Sequence, residues 1–410
     1  MKKKKVIWVI GGGQFQVPLI EEVHKLGFSA LVTDKSSRCV CRDIAEFFYP
    51  VDIFDIKGNI DLLFKLFSEG TVLKAVIAAG IDANVTAAVL ARVAGLPGVN
   101  PQVAAVLHNK AAFRQFLTKN NLPCPRWAEV HNERELRDAI RQVRFPLIIK
   151  NVDNSASRGT QKFFKQPKNN KILIEAMENA KEFSTTKSAI VEELLQGPEQ
   201  TVETLFDVNG KFYPCFITDR IFNPKNSFAV EVGLRQPTAL FERMQKKLYR
   251  LVEITARKLC LSIGAAKGDT IYTKRGPILL EMTSRLSGGF DCQYLVPAAT
   301  GKNALKAALL TALGKPFSKQ LLIDRKHRVG LTGSLWPNPG KIVSISGVAK
   351  AKKIPGVEHV FMRYAVGETV APYTDGAKRA SFIIVTGKNE VQARETLNRA
   401  LHTIKIKTKL

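Results

Sequence analysis

The sequence predicts a mixed α/β chain whose first part is a parallel sheet covered by helices and whose last part is α+β. Three observations carry this. Strand-like and helix-like stretches alternate from the start to Leu96-Pro97-Gly98, which implies a parallel sheet with helices on its faces. Longer apolar strands follow in the middle, two of them flanking Lys274-Arg275-Gly276 as a hairpin. From about residue 330 the order is βαββαβ, the split-βαβ pattern of ferredoxin-like units.

The elements follow in order. Residues 6–10 (VIWVI) are a short apolar run before a glycine turn and read as a buried strand. An amphipathic helix is expected at 14–27 and a second strand at 29–33, ending at Asp34. Strands at 47–51 and 73–78 alternate with helices at 59–69 and 83–94. A helical stretch at 101–120 breaks at Asn109-Lys110, and Leu122-Pro123-Cys124-Pro125 is a linker. Then come a helix (132–142), the strand FPLIIK (145–150), a polar loop (151–160), a helix (170–183) and the strand SAIVEELL (188–195). Strands at 201–207 and 211–218, a long helix at 239–260, the hairpin and a helix at 302–313 complete the middle. The last part has strands at 341–346, 357–364, 379–386 and 403–407, with helices at 348–353 and 389–402.

At 410 residues the chain is long enough for two to four domains with ample core. Its 45% hydrophobic and 24% charged content is that of a soluble globular protein, and no apolar run approaches the ~20 residues of a membrane span. The opening MKKKKVIWVIGGG imitates a secretory signal, but its apolar part is shorter than an h-region. The six cysteines are scattered, and only Cys39 and Cys41 lie close, at a spacing that suits neither zinc nor a redox pair. A cytoplasmic location is expected. The net charge of +26 is spread along the chain without interleaved aromatics, so a nucleic acid is not the expected partner.

The hairpin GDTIYTKRGPILLEMTSRLSGG holds the strongest chemical signal. A three-residue loop, Lys274–Gly276, puts Thr273 opposite Pro277 and Asp269 opposite Glu281. Like charges directly opposite destabilise a sheet, and a hard divalent cation between them is the usual reason to keep them. Arg285 and a Gly-Gly turn follow, which suggests a site that handles phosphate. Pro277 has no N–H to give the ladder, and a one-residue slip would separate the acids.

Weaker signals lie upstream. Gly11-Gly12-Gly13-Gln14 after a strand imitates a dinucleotide turn, but Gln16 occupies the position where close helix packing wants glycine. Lys150 opens the loop NVDNSASRGT, whose small residues let backbone N–H groups turn toward phosphate oxygens. It lacks the Gly-Lys-Ser/Thr of a Walker loop. The strand Ala189–Leu195 carries Glu192 and Glu193 and breaks at Gly197-Pro198-Glu199, where backbone groups can read an adenine edge.

Taken in order, Asn109-Lys110, FPLIIK with its Ser/Gly loop, IVEELLQGPE and LLEMTSRLSGG resemble the nucleotide-site motifs of the ATP-grasp superfamily. The stretch GKIVSISG…AKKIPGVEHV…YTDGAKRASFIIVTG resembles the last domain of its L-amino-acid ligases. The resemblance implies a pre-grasp domain (1–105), a two-lobed ATP-grasp domain (106–320, lid lobe about 125–195) and a C-terminal ligase domain (321–410). It implies that Lys110 and Lys150 hold ATP phosphates, with Ser155, Ser157 and Gly159 closing over them. The backbone around Glu193 and Leu195 would receive adenine, and Glu192 or Glu199 the nucleoside's polar groups. Asp269 and Glu281 would carry one or two Mg²⁺, with Mn²⁺ as an alternative. Arg285 would act with Lys150 on the transferred phosphate, Ser287, Gly288 and Gly289 would line the acyl side, and Glu231 would contact substrate. Thr283 stands where the family often has Asn, and Asp269 where Glu is common.

The implied reaction joins a small carboxylate to an amine through an acyl phosphate, releasing ADP. Two other readings stay open: the same fold with a carboxylating or purine-pathway acceptor, and a basic nucleic-acid-binding protein on an inactive scaffold. A homodimer is expected by analogy.

Overall fold

The structure is a computed structural model, and it describes residues 5–154, 157–222, 230–374 and 376–409. The first strands assemble as expected. Phe47–Tyr49, Ser29–Thr33, Lys5–Ile10 and Val72–Ile77 lie side by side in that order, all parallel. Val6 through Ile10 are all buried, because helices cover both faces. Ile7 and Val9 pack on Leu19, Ile20 and Val23 of the helix Val17–Lys25. Val6, Trp8 and Ile10 meet Leu62, Leu63 and Leu90 on the other face.

The helical stretch after this sheet is two helices, Pro101–His108 and Lys110–Lys119. They part at Asn109, which is extended and whose side chain accepts from the Ala112 N–H. That cap fixes Lys110 at the first turn of the second helix.

A small antiparallel sheet follows, in the order Trp127–Val130, Ala189–Glu193, Leu147–Asn151, Gln161–Phe163. Helices Glu133–Val143 and Lys171–Glu182 cover one face through Leu136, Val143, Leu173 and Met177.

The largest sheet has eight strands: Gly276–Thr283, Gly264–Thr273, Glu199–Phe206, Phe212–Phe222, Glu231–Gln236, Val329–Gly333, Ser381–Gly387 and Val357–Met362. The helix Glu242–Lys258 packs Leu248, Leu251 and Val252 against Val202, Leu279 and Met282 beneath it. The opposite face carries the charged residues described below.

The C-terminal elements come in the expected βαββαβ order, but they pair into two sheets. Val357–Met362 and Ser381–Gly387 join the large sheet, while Gly340–Ser346 and Lys405–Lys409 pair in a separate sheet with Thr369–Val370. The cause is the strand Val329–Gly333, which sequence reading omits. It pairs antiparallel with Ser381–Gly387 and takes the edge that a ferredoxin-like sheet gives to its first strand.

Candidate active site

The hairpin register departs from expectation twice, and the departures cancel. The turn is Lys274-Arg275 alone, so Thr273 faces Gly276 and Tyr272 faces Pro277. One residue is then inserted between Leu279, opposite Thr270, and Glu281, opposite Asp269. This bulge at Leu280 restores the pairing of the two acids. An extra residue leaves the ladder, and Arg114 Nη2 donates to the Leu280 carbonyl. Pro277 is harmless where it sits. Tyr272 gives its N–H to Pro198 on the other side, so the Pro277 nitrogen faces the sheet edge, where no donor is needed.

Three neighbouring strands therefore present two rows of side chains. One row is Thr201, Asp269, Glu281, and the next is Glu203, Lys267, Thr283. Asp269 is buried and satisfied at both oxygens. Oδ1 accepts from Thr201 Oγ1 at 2.9 Å, and Oδ2 accepts from Lys267 Nζ at 2.6 Å with Arg220 Nη1 at 3.4 Å. Burial pushes this carboxyl up, but Arg220 and Lys267 outweigh it and hold it down at about 2. Glu281 is different. Its side chain is 31% exposed, and Lys110 Nζ stands 3.8 Å away.

The second wall of the site comes from the small sheet and the helix Lys110–Lys119. Lys110 donates its N–H to the Val152 carbonyl and its Nζ to that of Asn154, both at 2.6 Å. Lys150 Nζ is 2.8 Å from Glu192 Oε2, and Arg114 Nε is 2.9 Å from Glu192 Oε1. Burial pushes Lys150 down. It pushes Glu192 up, where Arg114 and Lys150 overcome it and hold the carboxylate below its usual range. Ser157 and Gly159 have left-handed backbone at φ 59° and 60°. A Cβ on Gly159 would come within 2.9 Å of Phe183 and 3.0 Å of Ala180, so that position accepts only glycine. Ser155 lies outside the described residues.

Glu193 and Leu194 spend their N–H groups on Arg126 and Pro146 carbonyls. The Glu193 carboxylate is bound by Arg275 at 3.0 Å and Arg126 at 3.4 Å. Among the described residues no backbone carbonyl accepts the Leu195 N–H. Arg220 gathers Glu199 (3.7 Å), Glu231 (2.9 Å) and Asp269 into one cluster, and Arg379 approaches Glu231 at 3.5 Å. Burial raises Glu199.

Arg285 reaches the first sheet rather than the acidic rows. Its Nε donates to Asp82 Oδ1 at 2.9 Å, Nη2 donates to the same oxygen, and Nη1 bonds the Leu286 carbonyl at 3.0 Å. Ser287 gives its N–H to Glu203 Oε2 at 2.7 Å. Gly288 lies so close to Gly80 that a Cβ would sit 2.9 Å from the Gly80 carbonyl oxygen, and Gly289 has φ 66°.

The structure thus brings Lys110 to Glu281 and Lys150 to Glu192, pairs Asp269 with Glu281 across the hairpin, and links Glu199 and Glu231 to Asp269 through Arg220, while Arg285 turns to Asp82. Sequence reasoning missed Arg114, Arg220, Lys267, Glu203 and Asp82. Arg114 had a readable signal, since it lies four residues after Lys110 on one helix face. Arg220 and Lys267 are lone cations inside apolar strands, TDRIF and GAAKGD, and nothing in their spacing names a partner. The donor set is hard oxygen beside several cations, which fits a magnesium-bound polyphosphate. Glu281 is the more exposed of the two carboxylates, with Lys110 Nζ 3.8 Å away. Asp269 adjoins it but is already shared with Lys267.

Known proteins resemble this chain in sequence and in fold. Residues 143–293 match an ATP-grasp domain model, and residues 334–409 match L-amino acid ligase C-terminal domain 2. The chain is 24% identical over 320 residues to an uncharacterised protein of Sinorhizobium fredii, covering 75% of this chain and 63% of that one. It is 22% identical over 402 residues to a formate-dependent phosphoribosylglycinamide formyltransferase of Ignicoccus hospitalis, covering 97% and 95%. The crystal structure of an L-amino acid ligase from Bacillus licheniformis superposes with a TM-score of 0.83 at 21% identity, covering 100% of both chains. The chain thus carries an ATP-grasp domain, followed by a last domain of the L-amino acid ligase type.

Proposed function

We propose that this chain joins the carboxylate of an amino acid or similar small acid to an amine, by way of an acyl phosphate, with release of ADP and phosphate. The observation that carries the reading is the opposed pair Asp269 and Glu281, faced across the cleft by Lys110 and, behind it, Lys150. An amino-acid substrate is supported by Glu231 between Arg220 and Arg379, a cluster that offers both signs of charge to an α-ammonium and an α-carboxylate. The C-terminal domain match points the same way.

Lys110 and Lys150 would bind the nucleotide phosphates, the loop through Ser157 and Gly159 would cover them, and the Leu195 N–H would read the base. Glu281, with Asp269 beside it, would hold Mg²⁺, which supplies charge neutralisation to the phosphates when bound. The substrate carboxylate attacks the γ-phosphorus, and Lys150 and Arg285 take up charge on the transferred group. The cleft then excludes water while the amine attacks the acyl carbon and phosphate leaves. Ser287, Gly288 and Gly289 would lie along the acyl group, with Gly288 allowing the close approach of the first sheet's loop.

The test is Glu281→Ala, assayed for Mg-dependent ADP formation with paired amino acids. Loss of turnover with an unchanged circular dichroism spectrum is expected. Turnover at the wild-type rate rejects Glu281 as a metal ligand. A formyl or carboxyl acceptor, as the formyltransferase relative's name suggests for that protein, would appear as ADP release with formate or bicarbonate and none with amino acids.

A further inference from the structure

Lys267 sits inside the acidic face of the hairpin, two residues before Asp269 on the same strand and therefore on the same side of it. It is buried, and its Nζ is 2.6 Å from Asp269 Oδ2. Across the hairpin it faces Thr283, and on the other side it faces Glu203. Ligands for another metal would lie in a row beside the Asp269–Glu281 pair: on one side Glu199 is already engaged by Arg220 at 3.7 Å, and on the other lies this second row. Thr283 is neutral there, and Glu203 is turned to the Ser287 N–H. A second divalent ion would have to share Asp269 Oδ2 with an ammonium already in contact with it, and two cations at that separation repel strongly in a buried site.

We propose that Lys267 is a fixed cation of the site, holding the place of a second divalent ion. The nucleotide phosphates are then bound with a single Mg²⁺ at the Asp269–Glu281 pair. Thr283 fits this arrangement, because the residue across from an ammonium need not be a metal ligand. Lys267 acts through Asp269 and is a positioning residue.

The inference rests on the nucleotide-binding reading above, and the experiment separates the two. Mn²⁺ is titrated into the full chain saturated with a non-hydrolysable ATP analogue, and free Mn²⁺ is followed by electron paramagnetic resonance. The wild-type chain is expected to take one Mn²⁺, Lys267→Arg one, and Lys267→Gln two, as the vacated row opens beside Thr283. Two Mn²⁺ on the wild-type chain, or a spin-coupled pair, overturns the inference while leaving the function intact. A Lys267→Gln chain that still takes one Mn²⁺ overturns it as well. If that variant does not fold, the wild-type count decides. A chain that binds no nucleotide analogue fails the function and this inference together.

Discussion

Lys150 and Glu192 form a buried ion pair, with Nζ 2.8 Å from Oε2 and Arg114 on the carboxylate's other oxygen. The lysine proposed for the phosphates is thus held in place by protein groups alone. The cost of holding it lies in the burial of three charges, which cancel only in part. Glu192→Gln leaves Lys150 and Arg114 facing each other without an anion. Removing one partner of such a pair costs roughly 3–5 kcal/mol. Urea unfolding should show that loss, together with weaker ATP binding. A variant as stable as wild type would mean that the pair is more hydrated than its burial implies.

Arg285 is held by Asp82, which belongs to the segment after the first sheet's last strand. The contact ties the segment after Thr283 to a separate part of the chain. Two guanidinium nitrogens meet one carboxylate oxygen, an arrangement that a lysine ammonium cannot reproduce. Arg285→Lys keeps the charge and loses the fork. Turnover is expected to fall roughly 10²-fold or more, while the KM for ATP changes little, because Lys110 and Lys150 remain. Steady-state kinetics check this, and an equal loss in KM would assign Arg285 to ground-state nucleotide binding instead.

The opposition of Asp269 and Glu281 is legible in the sequence, although the route to it differs. A three-residue turn gives that register directly. The chain uses a two-residue turn and then a bulge at Leu280, and the bulge depends on Arg114, a residue from a helix more than a hundred positions upstream. Local pattern cannot foresee a ladder defect stabilised from a distance. The same limit explains Arg220. Its importance comes from the strand order, which sets Phe212–Phe222 beside Glu199–Phe206 and Glu231–Gln236, and strand order is not written in the spacing of one strand. The alternation of the first part was readable because its first strand is an unbroken apolar run, VIWVI, and the others are short and mainly apolar between helical stretches. The strand Val329–Gly333 escaped because VGLTG carries two glycines and no β-rich flank.

Glu203 gives a pH signature of opposite sign to that of Asp269. It is fully buried, its Oε2 accepts from the Ser287 N–H, and its Oε1 has no hydrogen-bond partner among the described residues. Burial raises its carboxyl from 4.5 to about 7, with the Ser287 N–H and Lys267 pulling the other way. A group whose folded value is raised holds its proton more tightly in the folded state. Its stabilisation is complete below the unfolded value and is lost as pH rises through the folded one. Between pH 4.5 and 7 the loss is on the order of 3 kcal/mol, at about 1.4 kcal/mol per pH unit. Glu203→Gln keeps an acceptor for Ser287 and removes the titration. The variant should therefore gain on wild type by that amount when metal-free unfolding is measured at pH 5 and again at pH 8. Asp269, held down at about 2, contributes in the other direction, below pH 4, and is the same in both chains. A stability difference that does not move between the two pH values would show that Glu203 stays ionised in the fold. In that case Lys267, directly across the strand pair, would be the cation that keeps it so.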